Sequence, residues 1–160
     1  MDLEVRQDER FQRREWRVER VGWVVLVALV LAALAGLLGP GPFSWRTVTS
    51  SGELVAVDYH RVGRFEADDS MTFTFSPDAV HDGTIAFRLT GPWIRAVDLQ
   101  SMTPEPSETA IPDGVLLELP VEGTGSVVVT LAFRAQALGD LRSTVSVKDD
   151  TASFHQFVLP

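Results

Sequence analysis

The chain has 160 residues, of which 45% are hydrophobic, and it carries a formal net charge of −8 with no cysteine. The lack of cysteine excludes disulfides, thiolate metal sites and a cysteine nucleophile. Residues 46–160 hold sixteen acids and eight bases. This acidic balance disfavours nucleic acid and anionic lipid as partners of the C-terminal part.

Residues 1–20 form a strongly charged head that contains six of the thirteen arginines. Opposite charges recur in it at helical spacing, as for Glu9 and Arg13. The pattern predicts a polar helix that runs directly into the segment that follows.

Residues 21–38 are apolar and uncharged. At about 1.5 Å per residue they span roughly 27 Å as a helix, close to the ~30 Å hydrocarbon core of a bilayer. We therefore predict a single transmembrane helix over residues 21–39, ended by the Gly-Pro repeat at residues 39–42. The alternative is a signal peptide cleaved near Ala35. The long charged head and the length of the apolar run favour an uncleaved anchor.

Arginines cluster before this segment, and the first base after it is Arg46. The positive-inside rule then places the head in the cytoplasm and the C-terminal domain outside. The absence of cysteine and asparagine agrees with an exported domain of a bacterium, and thirteen arginines against one lysine suggest a GC-rich genome. We therefore predict the bacterial inner (plasma) membrane as the location. Four residues are predicted to anchor the helix at the lipid interfaces: Trp16, Arg20, Trp23 and Trp45. Trp45 has an alternative role as a loop residue packed on the domain.

Small residues recur at four-residue spacing in the apolar run, which lets helix backbones approach closely in lipid. Ala28, Ala32 and Gly36 form one line, and Ala35 and Gly39 form a neighbouring one. They predict a helix-packing interface with an integral membrane protein, or self-association, while the opposite face meets the lipid bilayer. The alternative is that alanine is simply frequent in such segments.

After a predicted Gly/Pro linker at residues 40–51, residues 52–160 show repeated alternation of apolar and polar side chains. The alternating series lie at residues 55–59, 71–75, 85–89, 127–133, 141–147 and 154–158, separated by turn signals. We predict an all-β extracytoplasmic domain, an antiparallel immunoglobulin-like β-sandwich, with a small barrel as the alternative. Residues 102–113 contain three prolines and are predicted to form a long loop. The apolar last strand must be buried centrally or covered by a partner.

A search for chemistry finds no GxSxG, HExxH, P-loop or GxGxxG motif. Histidine and methionine side chains offer at most a soft copper site, from His60, His81, His155, Met71 and Met102. Two acidic pairs offer weak calcium sites or ordinary turns: Asp68 with Asp69, and Asp78 with Asp82. We predict no catalytic residue, no metal and no cofactor.

The layout of head, single helix and outer immunoglobulin-like domain resembles that of copper-delivery proteins of cytochrome oxidase assembly. Those proteins bind copper through a cysteine pair, so the resemblance covers the layout alone. The prediction is a non-enzymatic accessory or scaffold subunit that binds a larger membrane protein through its helix and β-sandwich. The alternative is a tethered ligand- or metal-binding module that assists assembly of a respiratory enzyme.

Overall fold

A computed structural model describes residues 9–34 and 43–160 of the protein. The first helix, α1 (Glu9–Leu34), passes without a break from the charged head into the apolar run. Within the described residues, no helix combines the length and the apolar character that a bilayer crossing requires. Residues 21–34 of the predicted membrane segment belong to α1, and residues 35–39 lie outside the described part.

Residues 45–159 form a two-layer β-sandwich, which confirms the all-β sandwich expected from the alternation. Its strands are β1 (Trp45–Thr49), β2 (Val55–His60), β3 (Val62–Arg64), β4 (Asp68–Phe75), β5 (Thr84–Thr90), β6 (Val97–Thr103), β7 (Ser107–Ile111), β8 (Gly114–Pro120), β9 (Val127–Ala135), β10 (Gly139–Val147) and β11 (Asp150–Leu159). A 3-10 turn (Pro77–Ala79) and a short helix, α2 (Pro92–Arg95), complete it.

The first sheet has the order β1-β2-β4-β9-β6, and the second has the order β3-β11-β10-β5-β8-β7. Two separate sheets distinguish this fold from the small barrel, which is one closed sheet. The strand pairs are antiparallel except that β3 runs parallel to β11. This parallel pair arises because the chain leaves the first sheet after β2 and adds only three residues, as β3, to the edge of the second.

The core lies between the sheets, and each predicted alternating series places its apolar members there. Fully buried examples are Val55, Val57, Met71, Phe73, Phe75, Ile85, Phe87, Leu89, Val129, Leu131, Val145 and Val147. Phe87 packs against Phe75 with the ring centroids 4.8 Å apart. Burial of each such side chain contributes about 1.5–3 kcal/mol, so the sandwich has a core of its own.

Two segments differ from the prediction. The predicted connector at residues 43–51 contains β1, which pairs with β2 at the edge of the first sheet. The prediction of a long loop at residues 102–113 was wrong, because β6 ends at Thr103 and β7 occupies Ser107–Ile111. Four of the five side chains of β7 are exposed, since it is an edge strand, so its sequence shows no alternation.

The last strand, β11, lies second from the edge of its sheet, between β3 and β10. Its inward side chains Phe154 and Val158 are buried. The chain therefore covers this apolar strand itself, by adding β3 beside it.

Candidate functional site

The predicted helix-packing residues fall partly within the described chain. Ala28 and Ala32 lie one turn apart on α1, on one side of the helix. Ala35, Gly36 and Gly39 lie outside the described residues. The structure thus places two members of the predicted interface on one helix face.

The predicted anchors on α1 are exposed. Trp16 and Trp23 project from the helix with more than half of their surface accessible. The guanidinium carbon of Arg20 lies 3.9 Å from the centroid of the Trp16 ring, which is cation–π contact. These residues therefore form an aromatic and basic band where the charged head meets the apolar run.

Trp45, the fourth predicted anchor, belongs to the sandwich rather than to the helix. It begins β1 and pairs with His60 of β2. Its ring centroid lies 4.1 Å from that of the His60 ring, yet half of its surface is exposed. Trp45 therefore packs on the domain through one side of its ring and exposes the rest of its surface.

Backbone hydrogen bonds bring several turns together at the end of the sandwich where the chain arrives from α1. The amide of Arg61 donates to the carbonyl of Ser44 (2.7 Å), and the amide of Phe157 donates to the carbonyl of Arg61 (2.7 Å). The amide of Phe65 donates to the carbonyl of Leu159 (2.7 Å). We call this end the proximal end of the sandwich. The opposite end, with the β1–β2, β8–β9 and β10–β11 turns, is the distal end.

Exposed large apolar side chains concentrate at the proximal end. Phe43 is 76% exposed, Leu138 is 56% exposed and Phe157 is 47% exposed, and the same end also carries the exposed side chains of Phe65 and Trp45. These five residues form what we call the proximal apolar patch. Exposed apolar side chains gathered at one end of a domain are typical of an interaction site.

Arginines accompany the proximal apolar patch. Arg46 follows Trp45, Arg61 precedes β3 and Arg64 ends it; all three are exposed. None of the three forms an ion pair with another residue in the described ranges. Glu66, which follows Phe65, is an exposed acid of the same segment, so the three arginines leave a small surplus of positive charge beside the patch.

A buried polar network closes the core behind this patch. Trp93 Nε1 donates to Gln156 Oε1 (3.1 Å), and Gln156 Nε2 donates to Asp69 Oδ2 (2.8 Å) and to the carbonyl of His60 (3.1 Å). The other carboxylate oxygen of Asp69 lies 2.8 Å from His60 Nδ1. The network links β4 of the first sheet to β11 of the second.

The network is satisfied and closely fitted. A Cβ atom on Gly63 would lie 3.0 Å from Gln156 Nε2, so glycine leaves the room that the amide occupies. The arrangement joins the sheets and fixes the chain where it crosses between them.

Sequence reasoning considered His60 only as a copper ligand and passed over Trp93 and Gln156. The sequence did contain a sign of the buried network. Asp69 has the same parity as the inward residues 71, 73 and 75 of β4, and Gln156 has the same parity as the inward residues 152, 154 and 158 of β11. A polar residue at an inward position indicates a buried hydrogen-bonded group.

The histidines and methionines do not converge. His60 lies at the proximal end, His81 lies beside Asp82 near the distal end, and His155 is exposed on β11. Met71 and Met102 are buried in the core. Across residues 9–34 and 43–160, no group of three metal-ligating side chains is found.

The acidic pairs have separate surroundings. Asp68 Oδ1 accepts a hydrogen bond from Arg134 Nη2 (2.6 Å), and this bond raises the pKa of Arg134. Asp69 belongs to the buried network, whereas Asp78 and Asp82 are exposed distal residues. Lys148 Nζ donates to the backbone carbonyl of Asp78 (2.5 Å). Asp68 and Asp69 thus bind neighbouring side chains of the sandwich, whereas Asp78 and Asp82 lie on its surface.

A shallow cleft of about 400 Å³ lies between the two edge strands β6 and β7. Leu99, Met102 and Pro106 line it together with Glu105 and Glu108. Four of its lining residues fall in the segment that was predicted to be a long loop: Met102, Glu105, Pro106 and Glu108.

Comparison with known proteins finds no family model and no curated protein that matches the chain. Among solved structures, the seventh ScaB type I cohesin from Pseudobacteroides cellulosolvens matches with a TM-score of 0.41 and 13% identity, covering 61% of this chain and 86% of that chain. BslA, a bacterial hydrophobin, matches with a TM-score of 0.37 and 16% identity, covering 60% of this chain and 87% of that chain. Neither likeness assigns the chain to a family.

Proposed function

We propose that the protein is a non-enzymatic accessory or scaffold subunit of a bacterial inner membrane. In this proposal residues 21–39 cross the membrane once, the head is cytoplasmic, and an immunoglobulin-like sandwich lies outside. The helix and the sandwich bind a larger membrane protein. The observation that carries the proposal is the exposure of the apolar side chains of α1.

Apolar side chains on α1 have no protein covering among the described residues. Val24 is 69% exposed, Leu29 is 55% exposed and Leu34 is 72% exposed. The segment from Val21 to Leu34 contains no charge, and the apolar sequence continues to Leu38. Such a surface is stable against lipid tails or other helices and costly in water.

The two faces of the helix differ in side-chain size. Ala28 and Ala32 offer a flat line, whereas Val30 and Leu34 lie on the other side. Close backbone approach along small residues is a main source of helix association in lipid. This asymmetry supports a protein partner on the alanine face and lipid on the bulky face.

The sandwich supports a bracing role. Its core is filled, and its proximal apolar patch adjoins the end from which the tether leads to α1. Because β1 already belongs to the sandwich, the tether runs from Leu38 to Phe43 and reaches at most about 18 Å. The domain must therefore act close to the membrane surface, against the outer part of the same partner.

The first test substitutes both described alanines, Ala28→Ile and Ala32→Ile, in the tagged full-length chain. Overpacking of a close helix contact costs about 1–3 kcal/mol, which weakens association about fivefold or more. The measurement is recovery of a larger complex in mild detergent on a native gel, with the partner identified by crosslinking mass spectrometry.

Ala33→Ile is the matched control, because Ala33 faces the bulky side of α1 and should leave recovery unchanged. A complex that survives both alanine substitutions would contradict helix docking. A lone monomer in the unsubstituted protein would contradict the accessory role. The alternative, a ligand- or metal-binding module, stays a prediction that metal analysis of the purified chain checks.

A further inference from the structure

We propose that the proximal apolar patch rests on the phospholipid headgroups of the membrane that holds α1. Phe65, Leu138 and Phe157 would enter the headgroup layer, and Arg61 and Arg64 would bind lipid phosphates. This inference rests on the proposed anchoring of α1. It assigns to the sandwich a fixed orientation on the membrane.

The composition of the patch fits the headgroup layer. Aromatic rings favour that depth of a bilayer, because it suits apolar surface beside polar groups. Four of the five patch residues are aromatic: Phe43, Trp45, Phe65 and Phe157. Elsewhere on the described sandwich, Val128 is the one other large hydrophobic residue of comparable exposure.

The charges also match a phosphate surface at this end. Arg46, Arg61 and Arg64 are exposed and have no carboxylate partner within residues 43–160. Guanidinium groups bind phosphate with paired hydrogen bonds. The distal end instead presents exposed acids: Glu53, Asp78, Asp82, Glu122 and Asp149. At the proximal end Asp68 pairs with Arg134 and Asp140 pairs with Arg142, so the exposed acids Glu66 and Asp98 remain against the three unpaired arginines. The proximal end is therefore less acidic than the distal end.

The tether keeps the patch near the membrane. Leu38 ends the apolar run and Phe43 begins the described sandwich, so their Cα atoms lie at most about 18 Å apart. The headgroup layer on each side of a bilayer is itself about 5–8 Å thick. Ser44 is held to β3 by hydrogen bonds to and from Val62 (3.4 and 3.1 Å), so the proximal end is the part nearest the membrane.

The lack of cysteine permits a direct test with single spin labels on the full-length chain. Leu138→Cys and Phe157→Cys report the patch, and Val128→Cys is the matched control of similar exposure. A fourth variant, Leu29→Cys, reports the helix. The labelled proteins are placed in nanodiscs of phosphatidylcholine and phosphatidylglycerol that contain a nickel-chelating lipid, and paramagnetic relaxation is measured.

We expect relaxation enhancement several-fold greater at 138 and 157 than at 128. In the Leu138→Cys protein, the double substitution Arg61→Gln with Arg64→Gln should lower the relaxation enhancement. Arg88→Gln is the control and should leave the enhancement unchanged, because Arg88 lies on the outer face of β5 away from the patch. Equal enhancement at all three sandwich positions would overturn the inference. The inference would also be overturned if the labels at positions 138 and 157 were shielded from both the nickel lipid and water-soluble reagents, because such shielding indicates that two chains pair through the patch.

The Leu29 label separates this inference from the proposed anchoring. High oxygen collision with little water-soluble nickel collision at 29 shows that α1 lies in lipid. If position 29 is in lipid and the patch labels behave like the control, only the headgroup contact is wrong. If position 29 is in water, the anchoring itself fails.

Discussion

The amide of Gln156 makes three hydrogen bonds inside the core, to Trp93, Asp69 and the backbone of His60. A buried amide is costly unless its groups are paired, and here each one is. Because Gln156 and Asp69 belong to different sheets, the pairing fixes the position of the sheets relative to each other. Apolar contacts alone specify that position less sharply.

Gln156→Leu keeps the side-chain volume and removes every one of these bonds. Trp93 Nε1 and one oxygen of Asp69 then lose their partners inside the protein. Each unsatisfied group costs about 1–3 kcal/mol, so the free energy of unfolding should fall by about 2–4 kcal/mol. Urea unfolding of the detergent-solubilised chain, followed by tryptophan fluorescence, measures this.

Gln136→Leu is the control, because Gln136 is exposed and its side chain has no described hydrogen bond. It should leave the unfolding midpoint nearly unchanged. Equal midpoints for the two variants would show that the buried network does not stabilise the sandwich.

The turn between β1 and β2 depends on a residue from the far end of the chain. Asp150, at the start of β11, accepts hydrogen bonds from the amides of Gly52 (3.0 Å) and Leu54 (3.2 Å). The hydroxyl of Ser50 and these amides lower the pKa of Asp150 below its ordinary value of 3.8. The ionised carboxylate thus ties the turn of the first sheet to the second sheet.

A carboxylate with a lowered pKa stabilises the fold above its ordinary pKa, and this contribution is lost as the pH falls through the lower folded value. Asp150→Asn should therefore lower Tm at pH 7. The difference in Tm between the variant and the unsubstituted protein should shrink below about pH 3.8, because Asp150 of the unsubstituted protein then becomes protonated and its carboxylate no longer stabilises the turn. Thermal unfolding at both pH values checks this. Asp149→Asn, on an exposed neighbour, is the control, and equal effects of the two changes would refute the role of Asp150.

Strands with one buried and one exposed face could be predicted from alternation, as at residues 71–75 and 127–133. Strands that face solvent on both sides could not be predicted in this way, because their sequences do not alternate between apolar and polar residues. β7 is of this kind. In β6 the alternation of Val97, Leu99 and Met102 is instead broken by a β-bulge between Leu99 and Ser101. The network escaped prediction for another reason, since Asp69 and Gln156 meet only when two sheets pack, and sequence spacing does not report that distance.

The whole molecule divides into two bodies of opposite character. The sandwich hides its apolar side chains in a core, whereas α1 displays them. The charged head and the acidic domain flank this apolar run in the sequence. Such a division is typical of a chain that meets two solvents, lipid and water.

In the topology proposed above, a charge in the apolar part of α1 should release the protein from the membrane. Val27→Arg costs about 2.5–3.5 kcal/mol for insertion at the centre of a helix. We expect a smaller fraction to resist carbonate extraction of membranes. Val128→Arg, at an exposed position of the sandwich, is the control and should stay with the membrane. Unchanged retention of the Val27→Arg protein would contradict anchoring by this helix.

The bond between Gly52 and Asp150 joins residues 98 positions apart, and β11 separates β3 from β10 in the second sheet. At about 5–20 residues per second, the ribosome makes β11 about 5–20 s after β1 and β2. During that interval the second sheet lacks β11, so it covers the apolar faces of the early strands only in part. The newborn domain is then a target for proteases and chaperones, and its survival during synthesis depends on how quickly the last strand arrives.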